Sequence, residues 1–268
     1  MNSPIVYYGG KSYMTDTLKS YFPNSYNVYV EGFGGGASLL LSCDNKNKIE
    51  IYNDLYENVY SLFKCLQNNK LFTKLKTKVD LTYYSHELFD KFKRRLLKDD
   101  LSTLKRAYYY LMVNRMSFNG CGGFKVDSTN VRNGMSKSTS DFLTMIEGLE
   151  ELHIRLKSVI IENLDIFDLI DKYDNKNVFM YLDPPYVQST RKSNQKYAVE
   201  MSDSLHKKLC KRLLTFKGKV LVSGYDNSIY DILTDNGFKK VSFTPKQFCK
   251  TKETIWMNYS NCKVERIF

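Results

Sequence analysis

Apolar and polar residues follow one pattern at the two ends of this chain and another in its middle. Short apolar or alternating runs with the length and composition of strands occur at residues 26–31, 48–52, 158–162, 178–182 and 219–223. Between Leu55 and about Lys157, apolar residues recur instead at three- and four-residue spacing, which predicts helices. The pattern indicates an α/β fold interrupted by a helical segment.

This change of pattern also predicts the domain organisation. Residues 1–56 and 157–268 are expected to form one α/β domain with a mostly parallel sheet, because strands and helices alternate there. Residues 57–156 are expected to form a helical domain inserted into it. A chain of 268 residues is long enough for both domains.

A glycine-rich loop follows the first strand-like run and precedes an apolar segment that starts at Leu39. Strand, glycine loop and helix in this order open nucleotide-binding βαβ units. Gly32, Gly34 and Ala37 also match the G-x-G-x-x-A fingerprint of dinucleotide enzymes. The next run is followed by Asp54, an acid that can hold ribose hydroxyls in a nicotinamide enzyme or in a methyltransferase. The loop alone leaves both classes open.

The run at residues 178–182 ends in Asp183-Pro184-Pro185-Tyr186. Proline lacks the N–H group that a sheet needs, and Pro185 restricts Pro184 to an extended conformation, so the chain leaves the strand by a stiff exit. The carboxylate of Asp183 and the carbonyl of Pro184 can accept both protons of an exocyclic amino group. Tyr186 can stack on the ring that carries this group. A strand followed by an ordinary Pro-Pro turn is the simpler interpretation.

Composition suggests a polyanionic partner. Lys and Arg outnumber Asp and Glu by 40 to 29, a formal net charge of +11, and each neutralised phosphate releases counterions. A merely soluble basic protein has the same balance. The six cysteines form no Cys-x-x-Cys pair and the three histidines lie far apart, so we expect no metal site and reduced thiols. We expect no signal peptide, no membrane span and a cytoplasmic location.

Together these motifs resemble those of the phage and bacterial Dam-type (D12 class) DNA adenine methyltransferases, which use S-adenosylmethionine. An aromatic residue followed by x-Gly-Gly-Lys, the glycine loop and Asp-Pro-Pro-Tyr occur here in the family's order. The resemblance implies a seven-stranded Rossmann-like sheet, mostly parallel, with a closing antiparallel hairpin at residues 239–243 and 254–259. It implies that the catalytic residues are Asp183, Pro184, Pro185 and Tyr186.

The resemblance also assigns the binding of the methyl donor. The implied donor-binding residues are Tyr7, Lys11, Glu31, Phe33, Gly34, Asp54, Asp165 and Asp183. For Asp165, lining of the donor pocket and an ordinary strand end remain alternatives.

Within the insert, residues 114–120 resemble the Dam-type segment Asn-Arg-x-x-Phe-Asn-Gly that leads into the target-recognition hairpin. Family members carry a target-reading Arg three residues past that glycine, and this chain has Gly123 there, so GATC specificity is not implied. Arg, Lys and Asn side chains read guanine and adenine edges, although a solvated surface loop has a similar composition. The expected DNA contacts are Arg115, Ser117, Asn119, Lys125, Arg132, Lys137 and Arg191.

These observations lead to one interpretation with two rivals. We interpret the chain as a site-specific enzyme, expected to be monomeric, that transfers a methyl group from S-adenosylmethionine to N6 of a flipped-out adenine in double-stranded DNA. An RNA adenine or guanine methyltransferase would share the donor site and the tetrapeptide. A catalytically idle DNA-binding module is the second rival. The biological role, whether restriction-modification, phage self-protection or regulation, stays open.

Overall fold

The computed structural model describes residues 1–7, 9–44, 47–190, 198–244 and 252–260. The strands are β1 (Val28–Glu31), β2 (Ile49–Asn53), β3 (Val131–Arg132), β4 (Met135–Ser136), β5 (Val159–Glu162), β6 (Val178–Leu182), β7 (Lys219–Gly224), β8 (Lys239–Phe243) and β9 (Glu253–Met257). Seven of them form one sheet in the order β5-β2-β1-β6-β7-β9-β8, and β3 and β4 form a separate two-stranded sheet.

Helices account for most of the remaining described residues. The α-helices are α1 (Thr15–Ser20), α2 (Ser38–Ser42), α3 (Glu57–Gln67), α4 (Asn69–Asp80), α5 (His86–Leu96), α6 (Thr103–Met116), α7 (Lys137–Glu147), α8 (Leu149–Leu156), α9 (Ile166–Lys172), α10 (Asp203–Leu213) and α11 (Asp231–Asp235). Short 3₁₀ helices occur at Ser12–Met14, Phe118–Gly120, Gln188–Thr190 and Ser228–Tyr230. Within the described ranges, none of the helices has the length and apolar character needed to cross a membrane.

The large sheet is parallel at its centre and antiparallel at one edge. β1 pairs in parallel with β2 and with β6, and β6 pairs in parallel with β7. β9 runs antiparallel to both β7 and β8. The expectation of a seven-stranded, mostly parallel sheet with a closing antiparallel hairpin is therefore confirmed.

The strand order also locates the place where a ligand can bind. From β1 the chain continues to β2 on one side, while β6 pairs with β1 on the other side and leads on to β7. Ligands of open α/β sheets bind at such a reversal, outside the carboxyl ends of the strands. The relevant tips are those of β1 and β6, where the glycine loop and the Asp-Pro-Pro-Tyr segment begin.

Burial explains why the strands read as apolar runs. All five residues of β6 are buried, as is usual for a parallel strand with both faces covered. Val30, Met180 and Val222 from three neighbouring strands share one apolar core with Leu169 of α9 and Leu209 of α10. This core fixes the positions from which the tips of β1 and β6 emerge.

Contacts between residues divide the chain into two compact units. The helical unit consists of Met1–Gly10, Gly35–Leu41 and Glu57–Ile161. The sheet unit consists of Lys11–Gly34, Ser42–Tyr56 and Glu162–Phe268. The helical unit thus extends past the predicted insert of residues 57–156 and includes two short segments that precede it. Separate donor-binding and DNA-binding domains stay a prediction.

Within the helical unit, α3 packs against α6. The face of α3 that the apolar spacing predicted is buried and includes Val59, Leu62 and Leu66. In α6, Leu111 and Met112 from the aromatic-rich run are buried as well. The aromatic run therefore belongs to the core of this unit, as its helical spacing predicted.

Candidate active site

Four polar side chains of the sheet unit meet in a buried group, named here the Lys11 cluster: Lys11, Asp183, Tyr186 and Glu253. The Lys11 ammonium lies 2.9 Å from Oδ1 of Asp183 and 3.4 Å from Oε1 of Glu253. It also donates a hydrogen bond to the hydroxyl of Tyr186. This hydroxyl donates in turn to Glu253, with distances of 3.0 and 3.2 Å to the two carboxylate oxygens. Lys11 is only 4% exposed and Glu253 only 2%.

The topology of the sheet explains why these residues meet. Asp183 directly follows β6, so it lies at the carboxyl end of a parallel strand. Glu253 is the first residue of β9. Because β9 runs antiparallel to β7, its amino end lies at the edge where the parallel strands end. Lys11 directly precedes the 3₁₀ helix Ser12–Met14 and completes the group from the amino-terminal side.

Burial and charge set the protonation of the Lys11 cluster. Burial by itself lowers the pKa of Lys11, but the charges of Asp183 and Glu253 outweigh it and hold this pKa well above its ordinary value. Burial raises the pKa of Glu253 to about 7, and the charge of Asp183 acts in the same direction. Lys11 and the Tyr186 hydroxyl oppose this rise. Lys11 is thus a permanent cation at neutral pH, whereas Glu253 titrates there.

Asp183 uses one of its two carboxylate oxygens. Oδ1 accepts hydrogen bonds from Lys11 and from the Ser223 hydroxyl, the latter at 3.0 Å. Ser223 also lies 2.9 Å from the hydroxyl of Tyr181, which helps to hold it in place. Among the described residues, no donor contacts Oδ2 of Asp183 or the carbonyl of Pro184. These two acceptors, one residue apart, are the pair that the sequence predicted for an amino group.

A groove adjoins the two acceptors. It is lined by Pro184, Tyr186, Val187, Ser223, Gly224, Tyr225, Asn227 and Tyr230. The rings of Tyr186 and Tyr225 lie against each other, with centroids 4.2 Å apart and planes inclined by 36°. One face of Tyr186 is therefore already covered by a second aromatic ring. Sequence reasoning predicted a base on Tyr186 but did not predict Tyr225, which follows β7.

The glycine loop is held against the tip of β2. A Cβ atom at Gly34 would lie 2.1 Å from the ring of Tyr52, so only glycine fits there. The N–H of Gly34 donates to the carbonyl of Asn53 at 2.8 Å. The amide of Asn53 donates to the carbonyl of Gly32 at 3.0 Å, and its oxygen accepts from the N–H of Leu164 at 2.8 Å. Asn53 thereby ties the glycine loop to the segment that follows β5.

Two predicted donor-binding acids lie buried at neighbouring strand tips. Glu31 ends β1, and its Oε2 accepts a hydrogen bond from the Tyr29 hydroxyl at 2.9 Å. Asp54 follows β2, and its Oδ1 accepts from the N–H of Tyr56 at 2.8 Å. Asp165, by contrast, is exposed and caps α9 by accepting from the N–H of Phe167 at 2.9 Å. The cap is a structural role for Asp165, and its pocket-lining role stays a prediction.

The other predicted donor contacts have different surroundings. Lys11 belongs to the Lys11 cluster, so its contacts point to the catalytic tetrapeptide. Phe33, in the glycine loop, packs at the edge of the apolar core of the sheet unit. In the helical unit, the Tyr7 ring lies so close to Gly35 that an added Cβ would be 2.7 Å away. Among the residues described, no three His, Cys, Asp or Glu side chains are grouped to hold a metal ion.

Three predicted DNA contacts lie at the end of α6. Ser117 is 3% exposed, and its hydroxyl donates to the carbonyl of Val113. Arg115 is largely buried, which lowers its pKa, and it donates to the carbonyl of Asp141 at 3.1 Å. Asn119 is exposed and has the left-handed backbone angle φ of 52°. Only Asn119 of the three offers its side chain at the surface, so Ser117 and Arg115 have internal roles in this structure.

The remaining predicted DNA contacts converge on one carboxylate. Arg132 contacts Oδ1 of Asp141 at 3.1 Å, and Lys137 contacts Oδ2 of the same residue. The charge of Lys125 also acts on Asp141 and contributes to its lowered pKa, although burial opposes this shift. Sequence reasoning did not single out Asp141. Arg191 lies outside the described residues.

Glu253, Ser223 and Tyr225 are the residues of the sheet-unit site that the sequence interpretation missed. Glu253 and Tyr225 directly adjoin strands, and Ser223 is the penultimate residue of β7. A polar residue at the carboxyl end of a parallel strand is a signal that applies to Ser223. Glu253 carries no such signal, because it starts an antiparallel strand.

Comparisons with known proteins agree with this geometry. Residues 7–245 match the family described as D12 class N6 adenine-specific DNA methyltransferase. The chain is 28% identical over 193 residues to Type II methyltransferase M.CviBI of Paramecium bursaria Chlorella virus NC1A, and the match covers 68% of each chain. It is 26% identical over 209 residues to modification methylase StsI of Streptococcus sanguinis, covering 72% of this chain but 30% of that protein.

The match to the DNA adenine methylase of Haemophilus influenzae is 23% identical over 279 residues and covers 92% of this chain and 90% of that one. The family match includes the glycine loop, the insert and the Asp-Pro-Pro-Tyr segment. The chain therefore belongs to the D12 class of N6 adenine-specific DNA methyltransferases, and its methyl donor is S-adenosylmethionine.

Proposed function

We propose that this chain methylates N6 of an adenine flipped out of double-stranded DNA, and that Asp183 and Pro184 bind the amino group. One observation carries this assignment. Lys11 and Ser223 both contact Oδ1 of Asp183, whereas Oδ2 and the adjacent Pro184 carbonyl have no donor among the described residues. A carboxylate oriented by internal donors, with a second oxygen beside a carbonyl, suits the two N–H groups of one amino nitrogen.

The chemistry of adenine explains why two acceptors are needed. The lone pair of the amino nitrogen is delocalised into the ring, so the nitrogen is a poor nucleophile. Accepting both N–H groups favours a more pyramidal nitrogen, and the negative charge of Asp183 stabilises the positive charge that develops on it. S-adenosylmethionine, when bound, supplies a methyl group already activated on a sulfonium. Asp183, Pro184 and Tyr186 therefore contribute mainly alignment and electrostatic stabilisation.

The residues at the tips of β1 and β2 fit such a donor. Gly34 brings backbone close to the strand tips, because the ring of Tyr52 leaves no room for a side chain. The buried acids Glu31 and Asp54 suit ribose hydroxyls and a cationic sulfonium. We assign donor binding to Glu31, Phe33, Gly34 and Asp54, and Tyr7 and Asp165 remain proposed contacts. Lys11 remains a proposed donor contact too, although its observed contacts support a role at the catalytic tetrapeptide.

A base inside a duplex cannot reach this groove, so the adenine has to leave the stack at a cost of a few kcal/mol. Stacking on an aromatic ring such as Tyr186 offsets about 1–3 kcal/mol of this. In the helical unit, Phe118 is 61% exposed between buried Ser117 and left-handed Asn119. Exposed apolar side chains of this kind insert between base steps. We assign Phe118 and Asn119 to the DNA contact.

Target choice follows from Gly123. A Cβ added at Gly123 would meet no atom within 4 Å, so the position is open but presents no side chain to a base edge. We propose that the enzyme therefore does not require a complete GATC site. Arg132 and Lys137 can supply base contacts only by leaving Asp141. Double-stranded DNA as partner, a monomeric state and a cytoplasmic location complete the proposal.

A transfer assay with labelled donor tests the proposal. Wild-type protein is expected to label duplex DNA that contains adenine, and Asp183→Ala is expected to abolish transfer while DNA binding persists. Asp171→Ala is a matched control, because it removes a surface carboxylate that pairs with Arg212 in the same unit. Labelling of RNA but not of duplex DNA would replace the proposed substrate, and unchanged turnover by Asp183→Ala would refute the catalytic assignment.

A further inference from the structure

We propose that Glu253 is a positioning residue for methyl transfer: by binding Lys11 and Tyr186 it leaves one oxygen of Asp183 available to the adenine amino group. This inference rests on the proposed function of Asp183. It concerns a residue at the start of the last strand of the sheet, far in sequence from the tetrapeptide. The argument depends on how one ammonium is shared between two carboxylates.

The first step concerns the charge of Lys11. Its ammonium has three N–H donors, and the described contacts direct them to Asp183, Glu253 and the Tyr186 hydroxyl. With Glu253 ionised, the positive charge is divided between two carboxylates. Without that second anion, the whole attraction of the ammonium would fall on Asp183, which would then be a weaker acceptor for the amino group.

The second step concerns the ring of Tyr186. Its hydroxyl accepts a hydrogen bond from Lys11 and donates to Glu253, so the ring is fixed at its polar end. The opposite partner is Tyr225, whose ring contacts that of Tyr186. Glu253 therefore determines the position of the ring on which the base is proposed to stack. A ring that loses this anchor would misplace the base relative to Oδ2 of Asp183.

A purely structural role for Glu253 is a poor explanation of its burial. A carboxylate that is 2% exposed loses its hydration, and a buried ion pair often stabilises a fold no more than apolar residues of similar size. Phe243, its partner in the register of β8 and β9, is apolar and offers Glu253 no charge. The titratable groups that act on Glu253 are Lys11, Asp183 and Tyr186, all in the Lys11 cluster.

The inference makes a specific statement about pH. Protonated Glu253 no longer competes for Lys11, so the low-pH form of the site resembles one without this carboxylate. The pKa of Glu253, raised by burial to about 7, places this change near neutrality. The turnover number kcat of the wild-type enzyme is therefore expected to rise as the pH increases through about 7.

The test compares the wild type with Glu253→Gln in steady-state methylation assays on duplex DNA from pH 5.5 to about 9. Misplacement of reacting groups by an ångström can lower rates on the order of 100-fold, so we expect a kcat lower by about 10- to 100-fold. KM for donor and duplex should stay within about twofold of wild type, because Glu253 touches neither in this proposal. The rise near neutral pH should be absent.

Glu162→Gln is the matched control. Oε1 of Glu162 also accepts from a lysine and a tyrosine, Lys172 at 2.7 Å and Tyr173 at 2.8 Å, but these partners lie on and directly after α9. This variant should keep the wild-type rate and pH profile. If Glu253→Gln does not fold, Tyr186→Phe provides the test: the Tyr186 hydrogen bond lowers the pKa of Glu253, so its loss should move the rise to higher pH.

The outcomes separate the two proposals. Active wild type and active Glu253→Gln with the same kcat and the same pH profile would overturn the inference and leave the proposed function intact. An unmoved pH step in Tyr186→Phe would overturn it as well. Absence of transfer by the wild-type enzyme would overturn the proposed function and this inference together.

Discussion

The rings of Tyr186 and Tyr225 are in contact, with their centroids 4.2 Å apart, so no base fits between them in this structure. A base that enters the groove must displace Tyr225 or use the other face of Tyr186. In either case Tyr225 forms part of the wall that surrounds the base.

Tyr225→Ala is therefore expected to weaken capture of the flipped adenine. Stacking on an aromatic ring contributes about 1–3 kcal/mol per base, which corresponds to a loss of roughly 5- to 150-fold in kcat/KM for DNA. Donor affinity should not change. Tyr225→Phe keeps the ring and should behave like the wild type. Equal kcat/KM values for the Ala and Phe variants would show that Tyr225 does not contact the base.

Lys11 and Asp54 separate the two halves of the site. Asp54→Ala should weaken donor binding measured by calorimetry, because this acid is proposed to hold the ribose. Lys11→Met should abolish transfer with a smaller change in donor affinity, because the observed contacts of Lys11 are with Asp183, Tyr186 and Glu253. Circular dichroism would establish that each variant is folded.

The comparison has a clear alternative outcome. If Lys11→Met loses donor affinity as strongly as Asp54→Ala, then Lys11 holds the donor carboxylate, as the family resemblance implied. In that case its contacts with the tetrapeptide would be secondary.

Gly123→Arg should narrow the target choice. The position is open to a side chain, since an added Cβ meets nothing within 4 Å. A bidentate Arg contact to guanine contributes about 1–3 kcal/mol of discrimination, so GATC sites should gain roughly 5- to 150-fold preference. Methylation-aware sequencing of DNA from expressing cells measures this. Gly123→Ala should retain the wild-type pattern, and exclusive methylation of GATC by the wild type would contradict our inference from Gly123.

Glu253 should also affect stability in a pH-dependent way. Burial raises its pKa from 4.5 to about 7, so the folded state binds this proton more tightly than the unfolded state does. The resulting stabilisation is complete below about pH 4.5 and is lost as the pH rises through about 7. Relative to Glu253→Gln, the wild type should lose up to about 3 kcal/mol of unfolding free energy over this range. Urea denaturation of both proteins measures the difference, and a constant difference would contradict the prediction.

The sequence predicted those features that depend on residues close together in the chain. The strand-like run at residues 178–182 coincides with β6, and the run at 239–243 coincides with β8. Runs of apolar residues identify buried parallel strands because both faces are covered. The order of strand, glycine loop and helix at β1 likewise indicated a ligand site at the correct edge of the sheet.

Glu253 shows what could not be predicted. The last strand was expected to begin at Thr254, but β9 begins at Glu253, and this residue resembles the polar end of a loop in the sequence. Its burial depends on an antiparallel pairing that brings it beside Lys11, and periodicity does not reveal such a pairing. Ser117 fails for a related reason. Its hydroxyl satisfies a helix carbonyl, an internal use of a polar residue that resembles a surface contact in the sequence.

The shared carboxylate of Asp141 changes how the basic character of this chain relates to ionic strength. Arg132 and Lys137 already hold an anion, and both pairs are partly exposed, so each pair is weak enough for a DNA phosphate to displace it. A cation that exchanges Asp141 for a phosphate does not gain a partner; it leaves a carboxylate that then attracts sodium or potassium. Uptake of that cation offsets part of the counterion release from the DNA. The affinity for DNA should therefore depend less steeply on salt than the number of basic contacts alone would indicate.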